Sequence, residues 1–491
     1  MGVENAVQVE DNLKEGTKNE SSSRGESPRV STSQSVSEPT AERDRPASAS
    51  TPKHARFYCL YAQVFTPLIA LGFVVVLLLV VSIYTYFYLS TLWDPAQYLN
   101  KLPIAFLNQD EGFNFAVSNI TEKRLLKMFH GSRKASSLIE FIFFNTTASS
   151  KLNFVKLDTN SSLESAVTLL ENDDYWGLVF IPSNFSNTLL LNTAPSNQST
   201  FYPTTIAYYF SQGRQMTVNG FALKIVQAIF QIIQDQYQQL IIKEATLNST
   251  GTPITNLKFL ALPINFNIIN THPVSKMGIN FSCYLSAMIL WISALLTTTL
   301  LFKVLKSRYH LIRYHESEGV LFKLRYLGMG LVMSLFFSFI SALSYYFTLS
   351  ILNGSLDLTT ASPYTSISLL LFLWLQASTF TCMNCLLYFL LGPSFTPLSS
   401  FLMIIQLVTS NAILDPAVMP NGAKVTFGLP FYYAIRGVRC FILGAQCAQL
   451  GRDVNVLLIW LCLTISVCLI LFFLRLTRNS SRRIHALNKS K

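Results

Sequence analysis

The chain has 491 residues, half of them apolar and only 13% charged, with 13% aromatic and a mean hydropathy of +0.37. Soluble domains run nearer a quarter charged, so composition excludes an ordinary soluble globular protein. The formal net charge of +11 is not a nucleic-acid signal. The basic residues cluster beside apolar runs, where they set membrane orientation, and no nucleic-acid motif accompanies them.

Residues 1–52 are rich in Ser, Glu and Pro, and no apolar residue recurs with a helical or strand period. Such a segment cannot bury enough surface to offset its ordering entropy, so it reads as a disordered cytosolic tail. Ala6 stands where a myristoylation motif wants Ser or Thr. The first transmembrane span, within residues 53–92, is the uncharged run Val64–Leu89. It is long enough for a ~30 Å hydrocarbon core at about 1.5 Å per residue. Lys53 and Arg56 before it and Asp94 after it put the N-terminus in the cytosol.

Residues 93–280 read as an α/β extracytoplasmic domain. Pro103–Leu107, Ile139–Phe144 and Gly177–Ile181 are short apolar runs of strand type, and Ser162–Leu170 and Val218–Leu247 carry a helical pattern. Six Asn-x-Ser/Thr sequons fall well inside this region, at Asn119, Asn145, Asn160, Asn184, Asn197 and Asn248, and predict a glycosylated face. Asn353 heads another in a later outer loop.

Residues 281–475 predict a five-span membrane domain: Phe281–Phe302, Leu327–Ile351, Ser366–Leu391, Leu398–Leu414 and Val454–Leu474. The basic loop Lys303–Arg325 is cytosolic by its charge, and Arg475, Arg478, Arg482 and Arg483 place the C-terminal tail, 476–491, inside as well. The fold class is therefore a polytopic α-helical membrane protein of six spans in a 1+5 arrangement, both termini cytosolic. Between the fifth and last spans lies Asn411–Gly444, which carries Asp415, Lys424, Arg436 and Arg439 with Pro416, Pro420 and Pro430. Two arginines disfavour a plain span, at roughly 2.5–3.5 kcal/mol each at mid-membrane. The prolines remove backbone donors. A re-entrant or interfacial segment over 415–453 follows, with a helix lying on lipid as the alternative. Arg436 and Arg439, three apart, share a helix face and could reach lipid headgroups or a carboxylate together.

No nucleotide-binding loop, zinc-protease motif or nucleophile elbow is present, and the histidines have no ligand spacing. The reading is therefore not an enzyme, with no cofactor and no metal. The spans carry no Asp, Glu, Lys, Arg or His, which disfavours a proton-coupled antiporter. Their polar groups, Ser334, Ser338 and Ser341 in one span and Gln376, Thr379 and Asn384 in the next, read as helix-packing contacts or as a polar substrate lining. Cys440 and Cys447 fall on the outer side and could pair, although on one continuous helix they would sit ~10 Å apart, too far for a disulfide.

Several stretches resemble known ones. Leu102–Gly112 (LPIAFLNQDEG) and Gly177–Ser186 (GLVFIPSNFS) resemble pieces of the outer domain in type-two ABC exporter permeases. Asn411–Pro416 (NAILDP) and Leu429–Gly444 (LPFYYAIRGVRCFILG) resemble the segment before the last span in the fungal nitrosoguanidine-resistance membrane proteins. The resemblance implies a permease-like protein of the plasma membrane, or alternatively the endoplasmic reticulum. It would export toxic or amphipathic compounds, or influence lipid distribution between leaflets. It implies partners in membrane lipids, a small amphipathic substrate, and a separate ATPase or a homo-oligomer partner. Lys303–Arg325, with Tyr309, Leu311 and Ile312, sits where a coupling helix would be. The candidate substrate or lipid contacts are Arg436, Arg439, Asn411, Asp415, Gln376 and Asn384. The alternative is a non-transporting scaffold or regulator whose outer domain binds a partner.

Overall fold

A computed structural model describes residues 95–114, 129, 131–146, 149–193, 203–247, 261–274, 276–312, 320–359, 361–410 and 414–489, with isolated positions 75, 78 and 82. The expected tail and, apart from Val75, Leu78 and Ser82, the expected span Val64–Leu89 lie outside the described residues. Every described residue belongs to the unit Phe73–Lys491.

The α/β region is built on strand β1 (Pro103–Asn108), whose side chains alternate between two faces as the strand pleat requires. Ile104 and Phe106 enter one core, Ala105 and Leu107 another. After it come α1 (Ser136–Asn145), β2 (Asn153–Lys156), α2 (Leu163–Glu171), β3 (Gly177–Ile181), α3 (Phe185–Thr193), β4 (Thr205–Phe210), α4 (Met216–Leu247) and β5 (Asn265–Asn270). The sheet order is β2-β1-β3-β4-β5, and only the β3–β4 pairing is antiparallel. The smaller core lies under α2, through Ala166, while α1, α3 and α4 cover the larger one. The run Ile139–Phe144, expected as a strand, is helix α1. Its buried positions Ser136, Ile139, Ile142 and Phe143 recur at helical spacing, and an unbroken apolar run does not reveal that period.

Asp110, just past β1, explains why α1 and α3 begin where they do. Its carboxylate accepts from the Ser186 N–H and hydroxyl and lies 3.4 Å from the Ser136 N–H, serving the amino ends of both helices. Helix α4 places Val218, Ala222, Ile229, Ile233, Tyr237 and Ile241 in the larger core and turns Lys224, Gln231, Asp235 and Lys243 outward. It is long and apolar enough to cross a membrane, yet its apolar stripe is spent on the sheet.

The remaining helices form a bundle: α5 (Met277–Ile312), α6 (Val320–Asn353), α7 (Ser366–Leu391), α8 (Phe395–Thr409), α9 (Pro430–Leu443) and α10 (Leu450–Lys489). Five stretches of the described chain are long and apolar enough to span a bilayer: Met216–Lys243, Met277–Lys303, Leu327–Asn353, Ser366–Thr409 and Cys447–Leu474. Outside α4, these helices present large apolar side chains outward, among them Val332, Phe336 and Ile351 on α6 and Ile459, Leu463 and Ile470 on α10. Such continuous outward apolar surface marks an integral membrane protein. The serines bridge helices: Ser338 hydrogen-bonds Thr381 at 2.8 Å, and Ser341 hydrogen-bonds Ser293 at 2.6 Å. The expected span Leu398–Leu414 departs from its expectation. Helix α8 has 15 residues, about 22 Å, short of the ~30 Å apolar core, and the backbone turns at Gly392 (φ 67) between α7 and α8.

After α8 the chain returns to the sheet, where Leu414, Val418 and Met419 join its larger core. A short helical stretch, Asn421–Gly428, then descends into the bundle, and the Gly428 carbonyl accepts from the Trp460 indole of α10. Phe431, at the start of α9, packs on Trp291 and Phe380, each about midway along α5 and α7. Helix α9 climbs back to end beside His272 and Ala361. The segment dips into the bundle and leaves on the side it entered.

Candidate functional site

Helix α9 is the inner wall of the site. Pro430 at its first turn has the φ a helix needs and no N–H to leave unpaired, and Gly444 closes it in the left-handed conformation with its N–H on the Cys440 carbonyl. All 14 residues of α9 are buried, including both arginines. Gly437 makes this enclosure feasible, since a Cβ there would stand 2.2 Å from the Phe372 ring of α7. The break at Gly444 also brings Cys440 and Cys447 to a Cα separation of 4.8 Å, and they form a disulfide. That corrects the ~10 Å expected for an unbroken helix.

The two arginines go to different partners. Arg436 donates from Nε to both Asp453 carboxylate oxygens at 3.0 Å, from Nη2 to Oδ1 of the same residue, and from Nη1 to Gln449 at 2.6 Å. Its guanidinium also lies 5.0 Å from the Tyr432 ring centre. Arg439 donates from Nη1 to the Arg214 carbonyl at 3.0 Å, and among the described residues it forms no ion pair. Its Nε is buried without a partner. Arg214, in the turn after β4, donates to the Tyr175 and Asp173 carbonyls, lies 3.4 Å from the Asp173 carboxylate, and stacks 3.9 Å above Trp176.

Between these groups is a polar cavity of about 150 Å³. The sheet side contributes Asp173, Trp176 and Arg214 to its wall. The dipping segment and α9 contribute Asp415, Phe427, Tyr432 and Arg436, and the approach to α10 contributes Gln446, Gln449 and Arg452. Two features single the cavity out. Asp173 (φ 69) and Gln446 (φ 67) are the described non-glycine residues with left-handed backbone, and both line it. Each such conformation costs of order 1–3 kcal/mol and persists where surrounding contacts impose it, characteristically at functional sites. Burial also pushes the Asp173 carboxyl above its ordinary range, an effect that Arg214 and Arg436 only partly oppose.

Of the residues expected from sequence, Arg436 and Asp415 line this cavity, and Arg439 stands behind its wall, bonded to the Arg214 backbone. The other members are not brought to it. Gln376 is buried in α7 with both side-chain polar atoms unpartnered. Asn384 accepts from Ser399, which accepts from Trp291, a chain that ties α7, α8 and α5 together. Asn411 lies outside the described residues, and Tyr309, Leu311 and Ile312 lie on the last turns of α5, where only the backbone is described. Of the sequons, Asn145, Asn160 and Asn184 are exposed and Asn353 is half-buried, while Asn119, Asn197 and Asn248 lie outside the described residues. Sequence reasoning missed Asp173, Arg214, Trp176, Gln446, Gln449, Arg452 and Asp453. The available signal was Asp453, a lone carboxylate at the edge of an otherwise uncharged span.

A family described as "Protein of unknown function (DUF3533)" matches residues 73–466. No curated protein and no solved structure matches the chain.

Proposed function

We propose, for a chain that belongs to the DUF3533 family, a permease-like role in the membrane: moving a small amphipathic compound, or a lipid, between leaflets or out of the cell. The observation that carries this reading is the charged cavity at the head of an otherwise apolar bundle. Charge next to a bilayer is costly, and its retention there favours a pathway or binding role over a packing one. The reading includes six spans in a 1+5 arrangement, with the short α8 counted as the one that returns the chain to the sheet side, the α/β region and the cavity on the outer face, the segment 415–453 re-entrant, and both termini cytosolic at the plasma membrane. The disulfide supports that side for the end of α9, because such bonds persist in oxidising compartments. Glycans on the sequons and export of toxic compounds belong to the same reading. Gln376 and Asn384 serve as further substrate contacts, and Tyr309, Leu311 and Ile312 dock a separate ATPase at Lys303–Arg325, with a second copy of the chain as the other candidate partner.

The test is reconstitution in liposomes, measuring efflux of amphipathic dyes and exchange of labelled lipids between leaflets, with and without candidate ATPases. Rates no higher than in protein-free liposomes would defeat the transport reading. Protease protection of tags at the two termini in sealed vesicles tests the topology, and a luminal terminus would overturn it.

A scaffold reading rests on one further observation. An open groove of about 430 Å³ on α1 and β2 leaves Phe141 61% and Phe144 39% exposed. Exposed aromatics on a domain outside the bilayer suit a partner surface. If this reading holds, the unmodified protein moves nothing in liposomes, and replacing both with serine abolishes cellular function at unchanged protein level.

A further inference from the structure

The charges around the cavity do not cancel in pairs. Arg214 is matched by Asp173 and Arg436 by Asp453. That leaves Asp415 and Arg452 on the wall, of opposite sign, neither forming an ion pair among the described residues. Asp415 is buried and caps the short turn at Pro416 through the Ala417 N–H. Arg452 is exposed at the mouth, its guanidinium 6.0 Å from the Tyr433 ring centre. Asp173 adds a buried Oδ2 without a hydrogen-bond partner. Phe427 and Tyr432 form an edge-to-face pair on the same wall, 5.2 Å between ring centres. Carboxylate oxygens beside aromatic rings are the surroundings that hold an ammonium group, and a free guanidinium is the group that holds a phosphate. The cavity volume is about ten times the ~15 Å³ that a single water needs, enough for both groups at once.

We propose that this cavity binds a zwitterion carrying an ammonium group and an anionic phosphate, the ammonium against Asp415 and Asp173 and the phosphate on Arg452. Arg439, one layer behind the wall and electrostatically coupled to Asp415, sets positive charge near the ammonium end and leaves the ammonium the less tightly held half. The proposal names the ligand class of the site that the permease reading uses, but binding is measured without transport. A site that binds in detergent and moves nothing in liposomes would sink only the permease reading.

Full-length protein in detergent is titrated with phosphocholine, inorganic phosphate and choline, following the thermal midpoint. The expected order of affinity is phosphocholine, then phosphate, then choline. Arg452→Gln should weaken phosphocholine and phosphate on the order of tenfold each. Asp415→Asn keeps the turn cap. It should weaken phosphocholine by a similar factor and tighten phosphate, a reversal that a folding defect would not produce. Phosphate binding as tightly as phosphocholine, choline binding as tightly as either, or both variants matching the unmodified protein would overturn the proposal. So would the absence of any shift with all three probes. Short-chain phosphatidylcholine distinguishes the source. If it acts at lower concentration than phosphocholine the headgroup belongs to a lipid, and if it acts only at higher concentration the ligand is a free solute.

Discussion

Removing the Asp453 carboxylate should destabilise the protein more than removing both members of its ion pair. Asp453 is fully buried and Arg436 is 3% exposed, and Nε and Nη2 of the guanidinium fork engage the carboxylate. Asp453→Asn leaves a buried guanidinium at the cavity wall with Gln449 and Tyr432 as its remaining partners. Breaking a buried pair from one side costs about 3–5 kcal/mol, because the surviving charge has lost its compensation. Replacing both members by apolar residues of similar volume, Arg436→Met with Asp453→Leu, restores much of that loss, since neither desolvation penalty remains. The assay is the thermal midpoint of the purified protein in detergent. Asp453→Asn is expected to lower it on the order of 10 °C, with Arg436→Gln comparable and the double apolar variant closer to the unmodified protein. Additive effects of the two single substitutions, or an Asp453→Asn variant of unchanged midpoint, would refute the pairing as a source of stability.

Gly437→Val forces a side chain into the Phe372 ring and should cost about 1–3 kcal/mol, with partial recovery when Phe372→Leu opens space. Burial holds the His272 imidazole below its ordinary 6.5, an effect that Glu171 opposes, so the neutral ring is the one the fold favours. Its stabilisation is present above about 6.5 and is lost as pH falls through the depressed folded-state value, so the thermal midpoint should drop on acidification. His272→Gln should flatten that dependence. Asp110→Ala removes the acceptor at the starts of α1 and α3, at about 1–2 kcal/mol for each lost cap, and amide exchange should rise at Ser136 and Ser186. Peptide mapping without reductant should recover Cys440 linked to Cys447, and their recovery as free thiols would contradict the fold at the end of α9.

Local sequence was enough wherever one stretch of chain sets its own structure. The apolar runs of α5, α6, α7 and α10, the strands β1 and β3, and the helix breaks at Pro416 and Pro430 were legible because length, period and missing donors are properties of adjacent residues. Helix α1 was misread because an unbroken apolar run has no visible period until one side is buried. The break between α7 and α8 was legible, but α8 ends at Thr409 rather than Leu414, because Leu414 is drawn into the larger core with the sheet and an apolar run does not show which core takes it. The site itself needed the tertiary structure. Arg436 and Arg439 could be chosen from sequence as charges too costly to leave idle, but not their partners. Arg436 finds Asp453 beyond the turn at Gly444, and Arg439 finds the backbone of Arg214, 225 residues away. Desolvation makes such charges demand a partner, and only the packing of sheet, dipping segment and last helix determines which one lies within reach.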